Sequence, residues 1–145
     1  MVSPMALPPL HFVVPFVSLR AAGVDLRRSL FVSLVALTPD LDVFFHDHRS
    51  PTHSLIMLGL VVLILLAFTW KRKSARSLVL LAGFGLFSHV LLDLFQYPTP
   101  LLWPLLSQPF LWRDPYFAKT GVVISFVLLA PTIVKLLRVR LASLW

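Results

Sequence analysis

The chain contains no cysteine, which excludes a disulfide framework, a thiolate metal site and a cysteine nucleophile. Acidic residues are scarce, six against thirteen Lys and Arg. No G-x-S-x-G occurs, so no nucleophile elbow of the serine-hydrolase kind is present. No internal repeat or low-complexity stretch is evident. The N-terminus shows neither a basic n-region nor a small-residue cleavage site, so no cleaved leader is expected. What is abundant is apolar surface. Over 145 residues, 58 % are hydrophobic and the mean hydropathy is +0.88, more than a soluble core of this size can hide. The expectation is one integral-membrane domain covering residues 1–145. The formal charge of +7 does not imply nucleic-acid binding, because the basic residues flank apolar segments, where they set topology and meet anionic lipid headgroups.

The fold class expected is all-α, a polytopic membrane bundle of about five segments. Residues 54–70, 77–95 and 120–137 would each reach roughly 25–29 Å as helices, close to the hydrocarbon thickness of about 30 Å. Pro131 is expected to kink the last of them. Residues 10–19 and 29–38, the latter with a start as early as Asp25, are shorter and read as short or re-entrant segments. Backbone ending at membrane depth is tolerated only inside protein or beside a watery cavity. Residues 101–117, rich in Pro and Trp, read as an interfacial loop.

With five crossings, ten of the thirteen basic residues fall on one side. The positive-inside rule makes that side cytoplasmic and the protein an inner- or plasma-membrane one with its N-terminus outside. All five histidines and every acid except Asp25 then lie at the extracytoplasmic side. Ligand-type residues from four places in the sequence converge on one face.

The densest stretch is residues 38–54, which holds three of the six acids and three of the five histidines. Such groups are costly between membrane segments, which favours a functional reason for them. Asp40 and Asp42 follow Pro39, where the chain is expected to leave helical geometry. In an extended turn both could reach a cation, or one could ligate while the other orients a ligand. The bland alternative is a solvated loop or a cap. Ser50 and Pro51 read as N-cap and first residue of the third helix. That would place Thr52, His53 and Ser54 in its first turn, where free N–H groups favour an anion. Arg49 beside this turn could grip a phosphate. His48 and His53 are candidate ligands, while His46 reads more readily as a solvated loop histidine. His89 and Asp93, four apart on an apolar helix, share one face as two ligands or as a hydrogen-bonded pair. His11 stands alone on the first segment.

Imidazole and carboxylate donors without thiolate suit zinc, with manganese or iron as alternatives, and the number of candidates allows one or two ions. A metal-activated water would then serve as nucleophile without Ser or Cys.

In order, these pieces read His11, then Leu37-Thr38-Pro39-Asp40-Leu41-Asp42, then His48-Arg49-Ser50-Pro51-Thr52-His53-Ser54, then His89-Val90-Leu91-Leu92-Asp93 and Trp103-Pro104. This order resembles the membrane-bound metal-dependent hydrolase family, the YdjM-like inner-membrane proteins, across roughly residues 11–105. Thr38 and Ser50 depart from the L-P-D-x-D and H-R-G-x-T-H-S patterns of that family. The resemblance implies a metal site on His11, Asp40, Asp42, His48, His53, His89 and Asp93 more firmly than any substrate. The functional expectation is a membrane-embedded phosphoesterase acting on lipid or lipid-linked phosphate, with Arg49, Thr52 and Ser54 holding the anion. A non-enzymatic metal carrier or sensor and a structural, partner-binding membrane subunit are the readings from other classes.

Overall fold

A computed structural model describes residues 8–44, 51–95, 98–106 and 108–109. Four α-helices and one 3-10 helix make up the regular structure there: α1 (Pro8–Ala21), α2 (Leu26–Val35), the 3-10 helix Thr38–Phe44, α3 (Leu55–Thr69) and α4 (Lys73–Asp93). Among the described residues the fold is all-α. Among the described residues only α4 is both long and apolar enough to cross a membrane, at about 31 Å from its 21 residues. The five-segment arrangement is therefore not established, and the expected segment at 120–137 lies outside the described residues.

Helix α1 stops where Gly23 takes a left-handed conformation, φ 80°. There the Val24 N–H bonds back to the Leu19 carbonyl at 2.9 Å, closing the helix end as such glycines do. Asp25 then caps α2, its carboxylate accepting from the Arg28 N–H at 3.0 Å. The chain reverses within a few residues, and α1 and α2 pair as a helical hairpin. A second hairpin joins α3 to α4 through residues 70–72. Helix α4 is central, packing against α1, α2 and α3.

Small residues set how closely α4 approaches α2. A Cβ added at Gly85 would lie 2.9 Å from both the Val32 carbonyl oxygen and Val32 Cγ1. On the facing helix, Val32, Ser33 and Ala36 are buried. Ser29 and Ser33 each return their hydroxyl to the carbonyl four residues back, at 2.9 and 2.8 Å, so their burial leaves no unsatisfied group. Close backbone approach through small residues is how helices associate where lipid removes most of the hydrophobic drive.

Two local expectations change. Residues 38–44 continue as a 3-10 helix instead of an extended turn. Pro39 has no N–H with which to prolong α2, and the tighter i to i+3 pattern takes over, with Asp40 N–H on the Leu37 carbonyl at 3.3 Å. Helix α3 begins at Leu55 with Ser54 as its N-cap, accepting from the Met57 N–H, so Ser50 and Pro51 do not start it. Ser54 is equally competent as a cap. Here it is also held from outside the helix, donating to the Leu101 and Trp103 carbonyls, while the Leu55 N–H bonds to the Leu101 oxygen at 2.9 Å.

Candidate metal centre

Because the helices run up and down, the start of α1, the end of α2, the start of α3 and the end of α4 share one end of the bundle. His11 lies in the first turn of α1, Asp40 in the 3-10 helix after α2, His53 just before the cap of α3, and His89 and Asp93 in the last turns of α4. His11, His53, His89 and Asp93 are fully buried, while the Asp40 side chain keeps 23 % of its surface exposed.

Donor atoms of Asp40, His53, His89 and Asp93 all lie within 4.8 Å of one another. His53 Nε2 is 3.1 Å from His89 Nε2, 3.0 Å from Asp93 Oδ2 and 3.6 Å from Asp40 Oδ1. His89 Nε2 is 3.5 Å from both Asp40 Oδ1 and Asp93 Oδ2. Donors held about 2.0–2.2 Å from one tetrahedral ion would stand roughly 3.3–3.6 Å apart, and the observed edges bracket that range.

Hydrogen bonding among the donors accounts poorly for this arrangement. Both Asp93 oxygens, both His11 nitrogens and His89 Nδ1 are buried without a properly directed hydrogen bond among the described residues. Buried polar atoms are rarely left so, and a bound ion is one of the few good reasons. Lone pairs aimed at a common point give short distances with poor donor–acceptor direction. The residues present therefore fit a transition-metal ion of the imidazole and carboxylate kind.

The two aspartates divide their work. In a 3-10 helix, residues two apart point about 120° away from each other. Asp40 faces the Nε2 edge of His53, whereas Asp42 Oδ2 lies 3.4 Å from Nδ1 on the opposite edge. The Thr52 hydroxyl sits between, 2.9 Å from His53 Nδ1 and donating to Asp42. A ligating histidine is commonly fixed through its other nitrogen in this way. Asp42 and Thr52 thus orient His53, turning Nε2 towards the other donors. Burial alone would pull the His53 imidazole down, but the Asp40 and Asp93 carboxylates beside Nε2, with the Asp42 charge, raise it to about 9. For Asp40 burial pushes upward, and the neighbouring His53, with the charges of His89 and His11, outweighs it, so its carboxyl ends below the usual range.

His11 stands behind Asp93, its Nε2 3.3 Å from Oδ1 and its ring against that of His89, with centroids 3.9 Å apart and planes tilted by 30°. Ser54 has its hydroxyl on loop carbonyls, away from the anion-holding role expected of it. His46, His48 and Arg49 lie outside the described residues. Gly85 was not singled out by sequence reasoning, although it stands one turn before His89 on the same face of α4. Its only signal was a small residue at that spacing.

An all-α membrane protein with a buried His/Asp cluster able to hold a metal ion is the class these features define. The family model described as YdjM inner membrane protein matches residues 7–145. The chain belongs to that family, which places it in the membrane. No curated protein and no solved structure matched the chain in the comparisons.

Proposed function

We infer that this protein is a membrane-embedded metal-dependent hydrolase, acting at the extracytoplasmic face on a phosphoester of a lipid or lipid-linked substrate. The observation that carries the reading is the convergence of four buried or half-buried donors, with the Asp93 oxygens lacking properly directed hydrogen bonds among the described residues. A bound divalent ion would supply Lewis acidity and acidify a coordinated water.

The chain's own residues prepare that chemistry. Asp93, His53 and His89 supply the buried donors. Asp42 and Thr52 keep the His53 Nδ1 proton occupied, and Asp40, the most exposed donor, marks the side from which water and substrate approach. Arg49 is assigned the substrate anion because its guanidinium can bind a phosphate bidentately.

A non-enzymatic metal-binding role is the second reading. Its supporting observation is that four protein donors would complete a tetrahedral ion, as structural sites do. The partial exposure of Asp40 weighs towards catalysis, since an exposed donor yields its position most easily.

Elemental analysis of protein in nanodiscs, with phosphate release from phosphatidic acid and isoprenoid phosphates, tests both readings. Metal-dependent release abolished in Asp93→Ala and His53→Ala supports the hydrolase. Tightly held metal without turnover supports the second reading, and release that survives both substitutions overturns the mechanism.

A further inference from the structure

The end of the bundle opposite the metal centre carries a different chemistry. The α1–α2 and α3–α4 turns close that end, and every described Lys and Arg lies at one turn or the other. Asp25 is the only described acid there. At the α1–α2 turn the cations are largely engaged. Arg28 pairs with Asp25 at 3.3 Å, and the Arg20 guanidinium donates to the Val24 carbonyl. The α3–α4 turn differs. Lys71, Arg72, Lys73 and Arg76 follow one another within a single turn and the first residues of α4, with no acid among them. Among the described residues none of these four pairs with a carboxylate.

That turn also has a shape. Ala67, Phe68, Trp70, Lys71 and Arg72 line an open cavity of about 650 Å³, within the size range of ligand sites. Arg76 lies over the Trp70 ring, 5.7 Å from its centroid, a cation–π contact that holds the indole as one wall. Trp70 is 69 % exposed and Phe68 83 %, an aromatic pair suited to the boundary between headgroups and hydrocarbon. Since α4 is about 31 Å long, the turn stands about one hydrocarbon thickness from His89 and Asp93. It therefore sits at the headgroup level of the other leaflet. The positive-inside expectation makes that leaflet the cytoplasmic one, where anionic lipids attract basic segments.

We propose that the α3–α4 turn binds the headgroup of an anionic phospholipid, its phosphate on Lys71 and Arg72 and its glycerol and upper chains against Phe68 and Trp70. Charge complementarity selects an anion, because four neighbouring cations without a carboxylate repel one another until a counter-charge arrives. The Arg72 guanidinium offers a phosphate two parallel donors. The aromatic wall selects a lipid over a soluble phosphate, since only an amphiphile satisfies the cations and the exposed rings together. This site rests on the membrane placement of the chain and is independent of the hydrolase reading.

The test uses the full chain in phosphatidylcholine nanodiscs containing a trace of phosphatidylglycerol with a diazirine on its headgroup. Labelled positions are mapped by mass spectrometry. The expected result is labelling concentrated on residues 67–72 that unlabelled phosphatidylglycerol competes away and inorganic phosphate does not. Each cation facing an anionic lipid contributes about fivefold in affinity, so Lys71→Gln/Arg72→Gln should weaken binding by about 25-fold. Should that pair misfold, Lys71→Gln alone should weaken it by about fivefold. Arg27→Gln/Arg28→Gln removes the same charge from the same end outside the cavity, and at physiological salt should leave binding nearly unchanged. Equal losses in the two double variants, or even labelling along α3, mean a diffuse surface potential only and overturn the proposal. Displacement by inorganic phosphate would assign the cavity to a soluble anion. Displacement by a polyglutamate peptide where phosphatidylglycerol fails to compete would assign it to an acidic protein partner, and either result overturns the lipid site.

Discussion

Asp93→Asn is the substitution that most directly separates a metal centre from a buried hydrogen-bond network. The side chain keeps its size and loses its charge, so packing at the end of α4 is barely altered. Asp93 lies within 3.0 to 3.5 Å of three imidazole nitrogens and supplies the only fully buried carboxylate of the four-donor set. Loss of a group that merely orients a ligand typically costs 10–100-fold in metal affinity. Loss of a donor should exceed that, so a weakening of at least about 100-fold is expected, equivalent to about 2.7 kcal/mol. Asp42, on the other edge of His53, provides the internal comparison. Asp42→Asn should fall within about 10–100-fold because it releases the orientation of His53 and removes no donor. The assay is metal titration of chelator-stripped protein in nanodiscs, followed by bound metal and by the rise in unfolding temperature. The stabilisation gained at a fixed metal concentration drops with affinity, so the two readouts must agree. Asp93→Asn with wild-type affinity, or Asp42→Asn weaker than Asp93→Asn, would refute the assignment of donors.

Four further outcomes are expected. Replacing Gly85 by Val should push α4 off the Val32 backbone at a cost of about 1–3 kcal/mol, and should weaken metal binding without touching a donor; wild-type affinity in a folded Gly85→Val protein would show that this approach does not position His89. Metal affinity should fall by about tenfold per pH unit below about 9, because the His53 proton must leave before the ion binds; a titration flat between pH 6 and 8 would contradict it. The sign reverses for the metal-free protein: with its folded-state value raised above the ordinary 6.5, His53 contributes stability that is full below about 6.5 and lost as the pH rises through about 9, which pH-dependent unfolding after chelation measures. Ser54→Ala should cost about 1–2 kcal/mol through loss of the α3 cap and free the loop at 99–106 from α3, seen as faster amide exchange there.

Among the described residues the one-dimensional pattern was enough for the presence of the helices and for the end of the bundle where chemistry collects. Apolar runs of helical length, separated by short polar turns, leave few other folds, and the i, i+4 spacing of His89 and Asp93 puts both on one face whatever else α4 touches. Boundaries were less legible, since Lys73 to Arg76 extend α4 by a turn of polar residues that an apolar criterion misses, and Ser54 competes with Ser50 as a cap on equal local terms.

What only the tertiary structure decided is which candidates become neighbours. Asp40 and Asp42 are chemically identical and two residues apart. The 3-10 winding after Pro39 sends one to the Nε2 side of His53 and the other to its Nδ1 side, a choice made by backbone geometry and not by residue type. His11 reaches Asp93 because α1 packs on α4, and His89 reaches the 3-10 helix because Gly85 lets α4 close on Val32. Local sequence fixes the donors each segment can present, and long-range packing, which depends on backbone approach distances, selects the few that meet.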